Sequence, residues 1–280
     1  MLLAIFVVIV LFGSLLLVNA VQMASLIIRP FSASLFRRVN TFAANSWWGW
    51  CVSLSRMAGI KVHVTGDRLP YGENAIVIAN HQSAIDIVML MFLAFDKGRL
   101  GDLKWFVKDV LKYVPGVGWG MLFLDCLFVK RSWMQDQKSI QTTFKKFVTE
   151  KIPFWLVTFP EGTRSTASKL SQSQSYAKEK GLTQFHHVLV PRKKGFTATV
   201  HGLHADAKAV YDVTIAYPQE NTPTLWEYIQ GKVKKIDVHV KRYAIQELPK
   251  DEIALGEWLM QRFERKDQVI AHYNEAHVFS

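Results

Sequence analysis

Residues 1–28 contain no charged side chain, and this run limits the possible folds of the chain more than any other feature. As a helix, the run would be about 42 Å long, at about 1.5 Å per residue. A bilayer core about 30 Å thick requires about 20 apolar residues. The run can therefore span a membrane with tilt or lie partly in its interface.

A cleaved signal peptide is the alternative interpretation of the same run. Such a peptide begins with basic residues, has a shorter apolar stretch and ends at small residues. The Val-Asn-Ala sequence at 18–20 resembles a cleavage site, but no lysine or arginine precedes it and the apolar character continues to Ile28. We therefore favour an uncleaved anchor.

Positive charge follows the apolar run. Arg29, Arg37 and Arg38 come directly after it, and the whole chain has a formal net charge of +11. Because segments rich in lysine and arginine stay in the cytoplasm, we expect the rest of the chain to face the cytoplasm, at the inner membrane if the source is bacterial. The charge balance also suits polyanionic partners such as nucleic acid, an anionic lipid surface or phosphorylated substrates.

A second helix is predicted at 34–58, with a cluster of tryptophans, Trp47, Trp48 and Trp50. Tryptophans suit the headgroup level of a membrane, but they also suit a helix packed on a protein core, and the sequence leaves both readings open. We expect residues 1–58 to form membrane-anchoring helices and residues 59–280 to form one catalytic domain.

From residue 60 onward, apolar runs of strand length alternate with helical patterns. This alternation predicts an α/β domain, a layered mixed sheet flanked by helices. Strands are predicted at 61–64, 75–79, 104–107, 123–129, 154–159, 187–190, 210–217 and 236–242. Helices are predicted at 84–95, 135–150, 168–181 and 251–274, and a loop or broken helix at 115–120.

The segment 80–86, Asn-His-Gln-Ser-Ala-Ile-Asp, lies between a predicted buried strand and a predicted helix. His81 and Asp86 do not share a face of a regular helix, but they can meet if His81 lies in the turn before it. An aspartate bonded to one imidazole nitrogen fixes the tautomer and stabilises the imidazolium that forms when the other nitrogen accepts a proton, for example from a substrate hydroxyl. In the alternative, Ser83 and Asp86 form a capping box that serves only the helix terminus.

The segment 159–165, Phe-Pro-Glu-Gly-Thr-Arg-Ser, also follows a predicted buried strand. Gly162 permits a tight turn, Arg164 offers a planar fork of donors that matches a phosphate, and Glu161 can accept from substrate hydroxyls. The alternative is a polar turn with a local ion pair between Glu161 and Arg164, worth about 0–1 kcal/mol if exposed.

Together the two segments resemble the glycerophospholipid acyltransferase family, which includes the lysophosphatidic acid acyltransferases. The family's first block, NHxxxxD, and its third block, FPEGTRS, are both complete here. Further similar segments are 105–108 with Pro115 and Gly118, and 123–131. The segments 188–192, 195–196 and 210–218 are similar to the lysocardiolipin acyltransferase-like branch. The resemblance covers residues 60–220.

The resemblance implies a role for each residue of the two blocks. His81 is expected to be the general base and Asp86 the group that orients it, while the acceptor hydroxyl attacks the thioester of acyl-CoA or acyl-carrier protein directly. In the third block, Arg164 is expected to bind the acceptor's phosphate and Glu161 its glycerol region. Gly162 is expected to shape the turn, with Thr163 beside it among the substrate-binding residues.

Further cations are expected to meet the substrates. Arg131 falls in the family's second block, although the Cys-Leu-Phe sequence at 126–128 departs from the usual glycine-led pattern. Lys108 is a candidate second phosphate ligand or a solvated surface lysine. In the fourth block, Pro191 fits the family, but residues 192–194 are three cations that suit either substrate phosphates and lipid headgroups or a solvated basic loop.

Several other chemistries lack their motifs. The chain has no G-x-S-x-G elbow and neither a P-loop nor an H-E-x-x-H pair. Its two cysteines, Cys51 and Cys126, show no metal-ligand spacing. We expect direct attack without a cofactor, a metal or a covalent enzyme intermediate. The developing oxyanion needs a donor, which the sequence does not identify.

The leading hypothesis is therefore acyl transfer to a lysophospholipid, with 1-acyl-glycerol-3-phosphate as the first acceptor to consider. An alternative is remodelling of lysophosphatidylglycerol or lysocardiolipin. A more distant alternative is a non-enzymatic, membrane-anchored protein that binds anionic lipids. We expect no nucleic-acid partner, because no nucleic-acid module is visible and the cations are spread along the chain rather than striped.

Overall fold

A seven-stranded mixed sheet forms the centre of the protein in the computed structural model, which describes residues 1–130, 132–218 and 222–279. The strands are β1 Lys61–Gly66, β2 Ala75–Ala79, β3 Leu103–Lys108, β4 Leu127–Val129, β5 Trp155–Thr158, β6 Ala209–Ala216 and β7 Lys235–Ala244. Their order across the sheet is β1-β7-β6-β2-β5-β3-β4. Strands β6 and β7 are antiparallel, and the other neighbours are parallel. The predicted layered α/β fold with a mixed sheet is confirmed.

Helices cover both faces of the sheet. They are α1 Leu2–Ala24, α2 Ala33–Met57, α3 Ile85–Asp96, α4 Val117–Phe123, α5 Trp133–Thr149, α6 Ala167–Lys180, α7 Lys193–Leu203, α8 Leu225–Ile229 and α9 Glu252–Ala276. Because side chains alternate across a strand, β2 contributes Val77 to the core shared with α3 and Ile76 to the core shared with α5, α7 and α9. All five residues of β2 are fully buried, as expected for a strand covered on both sides.

The two sequence blocks follow neighbouring parallel strands. Strand β2 pairs with β5 and places Ile78 opposite Thr158. The carboxyl ends of parallel strands lie at the same edge of a sheet, so the turn at 80–86 (the histidine turn) and the turn at 159–165 (the arginine turn) emerge side by side. This edge is where open α/β sheets bind ligands.

The two N-terminal helices form a hairpin that packs on the rest of the protein. Helix α1 contacts both α2 and α4, and polar side chains join them: Asn19 accepts from the Gly116 amide at 2.8 Å, and the Trp47 indole donates to Ser14 at 3.0 Å. Trp48 packs against the core, whereas Trp50 is 39% exposed. Trp47 and Trp48 are therefore packed on the protein, which is the second of the two readings that the sequence left open.

The opposite face of α1 is apolar and exposed, with Leu2, Leu3, Phe6, Ile9 and Leu17 among its residues. An 18-residue window of the segment Leu2–Ile27 has a mean hydropathy of 2.8, and within the described ranges this is the one helical segment long and apolar enough to cross a membrane. By length and composition, this segment is consistent with a membrane protein.

Three local predictions were wrong, and one helix was missed. Residues 187–190 form no strand, because the amides of His187 and Val188 bind the carboxylate of Asp267 in α9 instead of a neighbouring strand. Residues 193–203 form helix α7, and the strand predicted at 123–129 is limited to Leu127–Val129. Helix α3 is capped by Ala84, without a side-chain cap, and not by Ser83.

Candidate active site

His81 and Asp86 form a hydrogen-bonded pair in the histidine turn. The His81 Nδ1 lies 2.9 Å from the Asp86 Oδ2. A carboxylate oxygen cannot donate, so Nδ1 carries the proton and Nε2 keeps the lone pair that can accept one. The side chain of His81 is 14% exposed, while that of Asp86 is fully buried. The predicted meeting of these two side chains across the turn is therefore present.

Asp86 binds four donors in total. Its Oδ2 accepts from Nδ1 of His81 and from the amides of Gln82 at 2.7 Å and Ser83 at 2.8 Å. Its Oδ1 accepts from the hydroxyl of Tyr217 at 2.5 Å. Asp86 therefore ties the turn before α3 and also orients the imidazole. Charge-assisted bonds of this kind are about twice as strong as neutral ones.

The imidazole ring lies against an aromatic column. It stacks on Phe159 with a centroid separation of 4.0 Å and an interplanar angle of 18°, and Phe159 in turn lies 6.4 Å from Trp105. With Nδ1 bonded and one face covered, the ring has a single orientation. This arrangement prepares Nε2 to accept a proton.

Glu161 joins the arginine turn to the histidine turn. Its Oε1 accepts from the His81 amide at 2.7 Å, and its Oε2 accepts from the Leu189 amide at 2.9 Å. The Ser165 amide also donates to the His81 carbonyl, at 2.7 Å. Glu161 is 3% exposed, and burial raises the pKa of its carboxyl to about 8. Contact with a substrate's glycerol region, as predicted, would require Glu161 to give up one of these bonds.

The remaining residues of the arginine turn point away from the core. Gly162 has a φ of +72°, and a Cβ there would lie 2.8 Å from Nε of Arg192, so both backbone angle and space favour glycine. Thr163 accepts from the ammonium of Lys169. Arg164 is exposed, and within the described ranges no side chain pairs with its guanidinium. The alternative ion pair between Glu161 and Arg164 is therefore not formed.

The other predicted cations are placed as follows. Lys108 is exposed at the carboxyl end of β3, the neighbour of β5, so it lies on the same edge of the sheet as the arginine turn. Arg131 lies outside the described residues. Arg192 packs over Gly162, and its amide donates to the Pro160 carbonyl at 2.8 Å. In the part of the chain that is described, no group of three or more His, Cys, Asp or Glu side chains is placed to hold a metal ion.

Two residues that bond to the histidine turn or form part of it were missed by sequence reasoning. Asn80 is fully buried, and its amide group exchanges two hydrogen bonds with the backbone of Ile215, at 2.9 and 2.8 Å. Tyr217 follows β6 and reaches Asp86 across 131 positions of sequence. Asn80 had a signal, because it begins the first block. Tyr217 had none, because only the pairing of β2 with β6 brings it there.

Two cavities lie on opposite sides of His81. On the β3 side, an apolar cavity between α1, α2 and α4 is lined by Leu15, Trp48, Met121 and Trp105, the last of which belongs to the aromatic column. On the β6 side, a polar cavity of about 270 Å³ is bounded by Gln82, Ser165, Thr166, His186, His187, Tyr217 and Asn274, among others. The site is thus placed between an apolar and a polar environment.

Comparisons with known proteins show the family of the chain. The sequence model described as "Acyltransferase" matches residues 61–218, and the one described as "Acyltransferase C-terminus" matches residues 227–280. The chain is 34% identical over 272 residues to 1-acyl-sn-glycerol-3-phosphate acyltransferase 3 of Arabidopsis thaliana, covering 95% of this chain and 72% of that protein. It is 32% identical over 274 residues to the human 1-acyl-sn-glycerol-3-phosphate acyltransferase delta, covering 94% and 71%.

A solved structure was also matched, the crystal structure of the 1-acyl-sn-glycerophosphate (LPA) acyltransferase from Thermotoga maritima. Its TM-score is 0.48 at 18% identity, over 92% of this chain and 95% of that chain. The sequence matches and the site together define an enzyme of acyl transfer. The chain belongs to the acyltransferase family that includes the 1-acyl-sn-glycerol-3-phosphate acyltransferases. Its position nearest the lysocardiolipin acyltransferase-like branch stays a prediction.

Proposed function

We propose that this acyltransferase moves an acyl chain from an acyl thioester, acyl-CoA or acyl-carrier protein, to the free hydroxyl of 1-acyl-glycerol-3-phosphate, giving phosphatidic acid. The observation that carries the proposal is the 2.9 Å bond between His81 Nδ1 and Asp86, which leaves Nε2 as the base. The printed names of the two relatives support the choice of acceptor.

In the proposed reaction, His81 Nε2 accepts the proton of the acceptor hydroxyl as that oxygen attacks the thioester carbonyl. The oxygen–carbon bond forms, and the carbon–sulfur bond then breaks. The leaving thiolate takes the proton back from His81, so the enzyme ends unchanged and no cofactor is consumed. Asp86 stabilises the imidazolium that exists between the two proton transfers.

Arg164 is proposed to hold the phosphate of the acceptor. Its guanidinium is exposed and has no partner in the described part of the chain, so it can form a bidentate contact with a phosphate. The turn that carries it is fixed to His81 through Glu161 and Ser165. A phosphate on Arg164 would therefore be at a set distance from the base. Lys108, Thr163 and the undescribed Arg131 are proposed as further substrate ligands.

Glu161 is proposed to be a positioning residue. Both of its oxygens are bonded to main-chain amides, one of them from His81 itself. It would act by fixing the backbone from which the imidazole projects. Precise support of a catalytic group by its surroundings is a general requirement of such sites.

We propose that the phosphate-bearing part of the acceptor occupies the polar cavity. The apolar cavity has a volume of only about 30 Å³, so it is too small to hold an acyl chain. The exposed apolar face of α1 would seat the enzyme at the membrane from which the acceptor comes. We propose that the catalytic domain faces the cytoplasm, because Arg29 and Arg38 follow the apolar segment.

The test is a substrate panel with the full chain purified in detergent. The acceptors are 1-acyl-glycerol-3-phosphate, lysophosphatidylglycerol, monolysocardiolipin and an uncharged monoacylglycerol, each with acyl-CoA and with acyl-carrier protein. We expect the highest kcat/KM for 1-acyl-glycerol-3-phosphate, with phosphatidic acid as the product. A higher value for lysophosphatidylglycerol or monolysocardiolipin would favour remodelling. Lipid binding without turnover on any acceptor would contradict the enzymatic proposal.

A further inference from the structure

Within the described residues, three buried tyrosines donate to carboxylates. Tyr211 donates to Glu73, and Tyr273 donates to Asp237 at 2.6 Å. Both pairs hold elements together away from His81. The third tyrosine, Tyr217, donates at 2.5 Å to Asp86, the carboxylate that orients the base. The Tyr211–Glu73 and Tyr273–Asp237 pairs therefore serve as controls for the Tyr217–Asp86 pair.

Ile215 at the end of β6, Tyr217 and Pro223 are all bonded to the histidine turn. Asn80 exchanges two bonds with the backbone of Ile215, Ser83 donates to the carbonyl of Pro223 at 2.6 Å, and Asp86 accepts from Tyr217. The bonds of Asn80 and Ser83 hold the backbone in place. Only the bond from Tyr217 reaches a group that is itself bonded to the imidazole.

We propose that Tyr217 is a positioning residue that sets the proton affinity of His81 through Asp86. A hydroxyl that donates to a carboxylate draws negative charge towards itself. It therefore limits how strongly that carboxylate favours the imidazolium. Removing the donor would concentrate charge on Asp86 and make His81 hold its proton more tightly. This inference rests on the proposed role of His81 as general base.

The surroundings of Tyr217 and Asp86 support a rise in the proton affinity of His81 when the Tyr217 hydroxyl is removed. The other donors to Asp86 are His81 itself and the amides of Gln82 and Ser83, and none of these three is removed when the hydroxyl of Tyr217 is lost. Burial and the neighbouring Asp86 hold the pKa of Tyr217 well above its usual value, so the phenol remains a donor across the neutral range. Among the other ionisable groups of the described residues, Glu161 is bonded to the His81 amide, and Lys266 of α9 acts electrostatically on Glu161. The substitution Tyr217→Phe touches neither.

The test compares Tyr217→Phe with two matched controls, Tyr211→Phe and Tyr273→Phe, each of which removes the bond from one buried phenol to a carboxylate. The pH dependence of kcat/KM and the Tm are measured in detergent for all three and for the wild type. For Tyr217→Phe we expect the acid limb of the pH profile to move upward by about one pH unit, with about a tenfold loss of kcat/KM below the new limb. For the controls we expect a lower Tm and an unmoved limb.

A second readout does not depend on turnover. In protein with ¹⁵N-labelled histidine, with the His81 signal identified by its loss in His81→Ala, we expect the His81 titration to move upward in Tyr217→Phe alone. An unmoved or lowered titration, or the same movement in a control, would overturn the proposal. If the titration moves but the wild type transfers no acyl chain, the inference about Tyr217 stands and the proposed function fails.

Discussion

The histidine turn and the arginine turn lie side by side at one edge of the sheet, yet they treat their charged groups in opposite ways. Asp86 is fully buried and accepts from four donors. Arg164 is exposed, and nothing in the described residues pairs with it. A buried group with every bond made has one geometry, which suits proton transfer, whereas an exposed cation remains available to a ligand. We propose that this contrast separates catalysis from recognition within a single site.

The largest effect is expected when the charge of the buried Asp86 carboxylate is removed. In Asp86→Asn, the side chain can no longer fix the tautomer of His81 or stabilise its imidazolium, and its NH2 group would oppose a backbone amide. We expect kcat to fall by about 10³–10⁴-fold, with a much smaller change in KM. Steady-state kinetics check this, with circular dichroism as the control for folding. A loss of less than about tenfold would place the catalytic base elsewhere.

The bond between the two turns is tested next, by Glu161→Gln. A glutamine can accept from only one of the two amides, and its NH2 group would face the other. We expect the free energy of unfolding to fall by about 1–3 kcal/mol, and kcat to fall because the backbone of His81 is released. Thermal unfolding and kinetics in detergent measure the two effects.

The same variant has a pH signature. Burial raises the pKa of Glu161 from 4.5 to about 8, so the folded protein binds this proton more tightly than the unfolded chain does. Its stabilising contribution is therefore fully present below about pH 4.5 and is lost as the pH rises towards about 8. We expect the Tm difference between wild type and Glu161→Gln to shrink across this range. A Tm difference that stays constant with pH would contradict the raised pKa of Glu161.

The exposed side of the contrast is tested by Arg164→Ala. Loss of a charge-assisted contact should raise KM about 10- to 100-fold for phosphate-bearing acceptors, and much less for an uncharged monoacylglycerol. The Tm should not change, because no side chain of the described residues pairs with the Arg164 guanidinium. Arg265→Ala, an exposed arginine of α9, is the control. Equal losses for charged and uncharged acceptors would point to a role in folding instead.

The smallest effect is expected from Lys108→Ala. This lysine is exposed at the end of β3, and a single exposed charge is worth about 0.2–1 kcal/mol. We expect KM for 1-acyl-glycerol-3-phosphate to rise only about two- to fivefold, and more at low ionic strength than at high. Titration with salt checks this, because no salt dependence would identify Lys108 as a solvated surface residue.

Local sequence patterns were enough to predict much of the fold. The apolar run at 75–79 became β2 with the same bounds, and His81 meets Asp86 as expected for a histidine in the turn between a strand and a helix. Helix α7 was missed because its residues are poor helix formers, including Gly195 and Thr197. It is held instead by the burial of Phe196 and Val200, which depends on tertiary packing.

Long-range contacts account for what the sequence could not predict at the site. Glu161 was predicted to contact the substrate because a sequence does not distinguish a surface carboxylate from a buried one. Its bonds to His81 and Leu189, 80 and 28 positions away, depend on how β2 and β5 are paired. Tyr217 reaches Asp86 for the same reason, through the pairing of β2 with β6.

The most direct test of His81 as the base is the rate of acyl transfer by His81→Ala, compared with the wild type at saturating acyl-CoA and 1-acyl-glycerol-3-phosphate. General base catalysis supplies about 10²–10⁴-fold, so we predict a loss of at least about 10²-fold in kcat with binding of the acceptor preserved. Acyl transfer at the wild-type rate would contradict the assignment of His81 as the base.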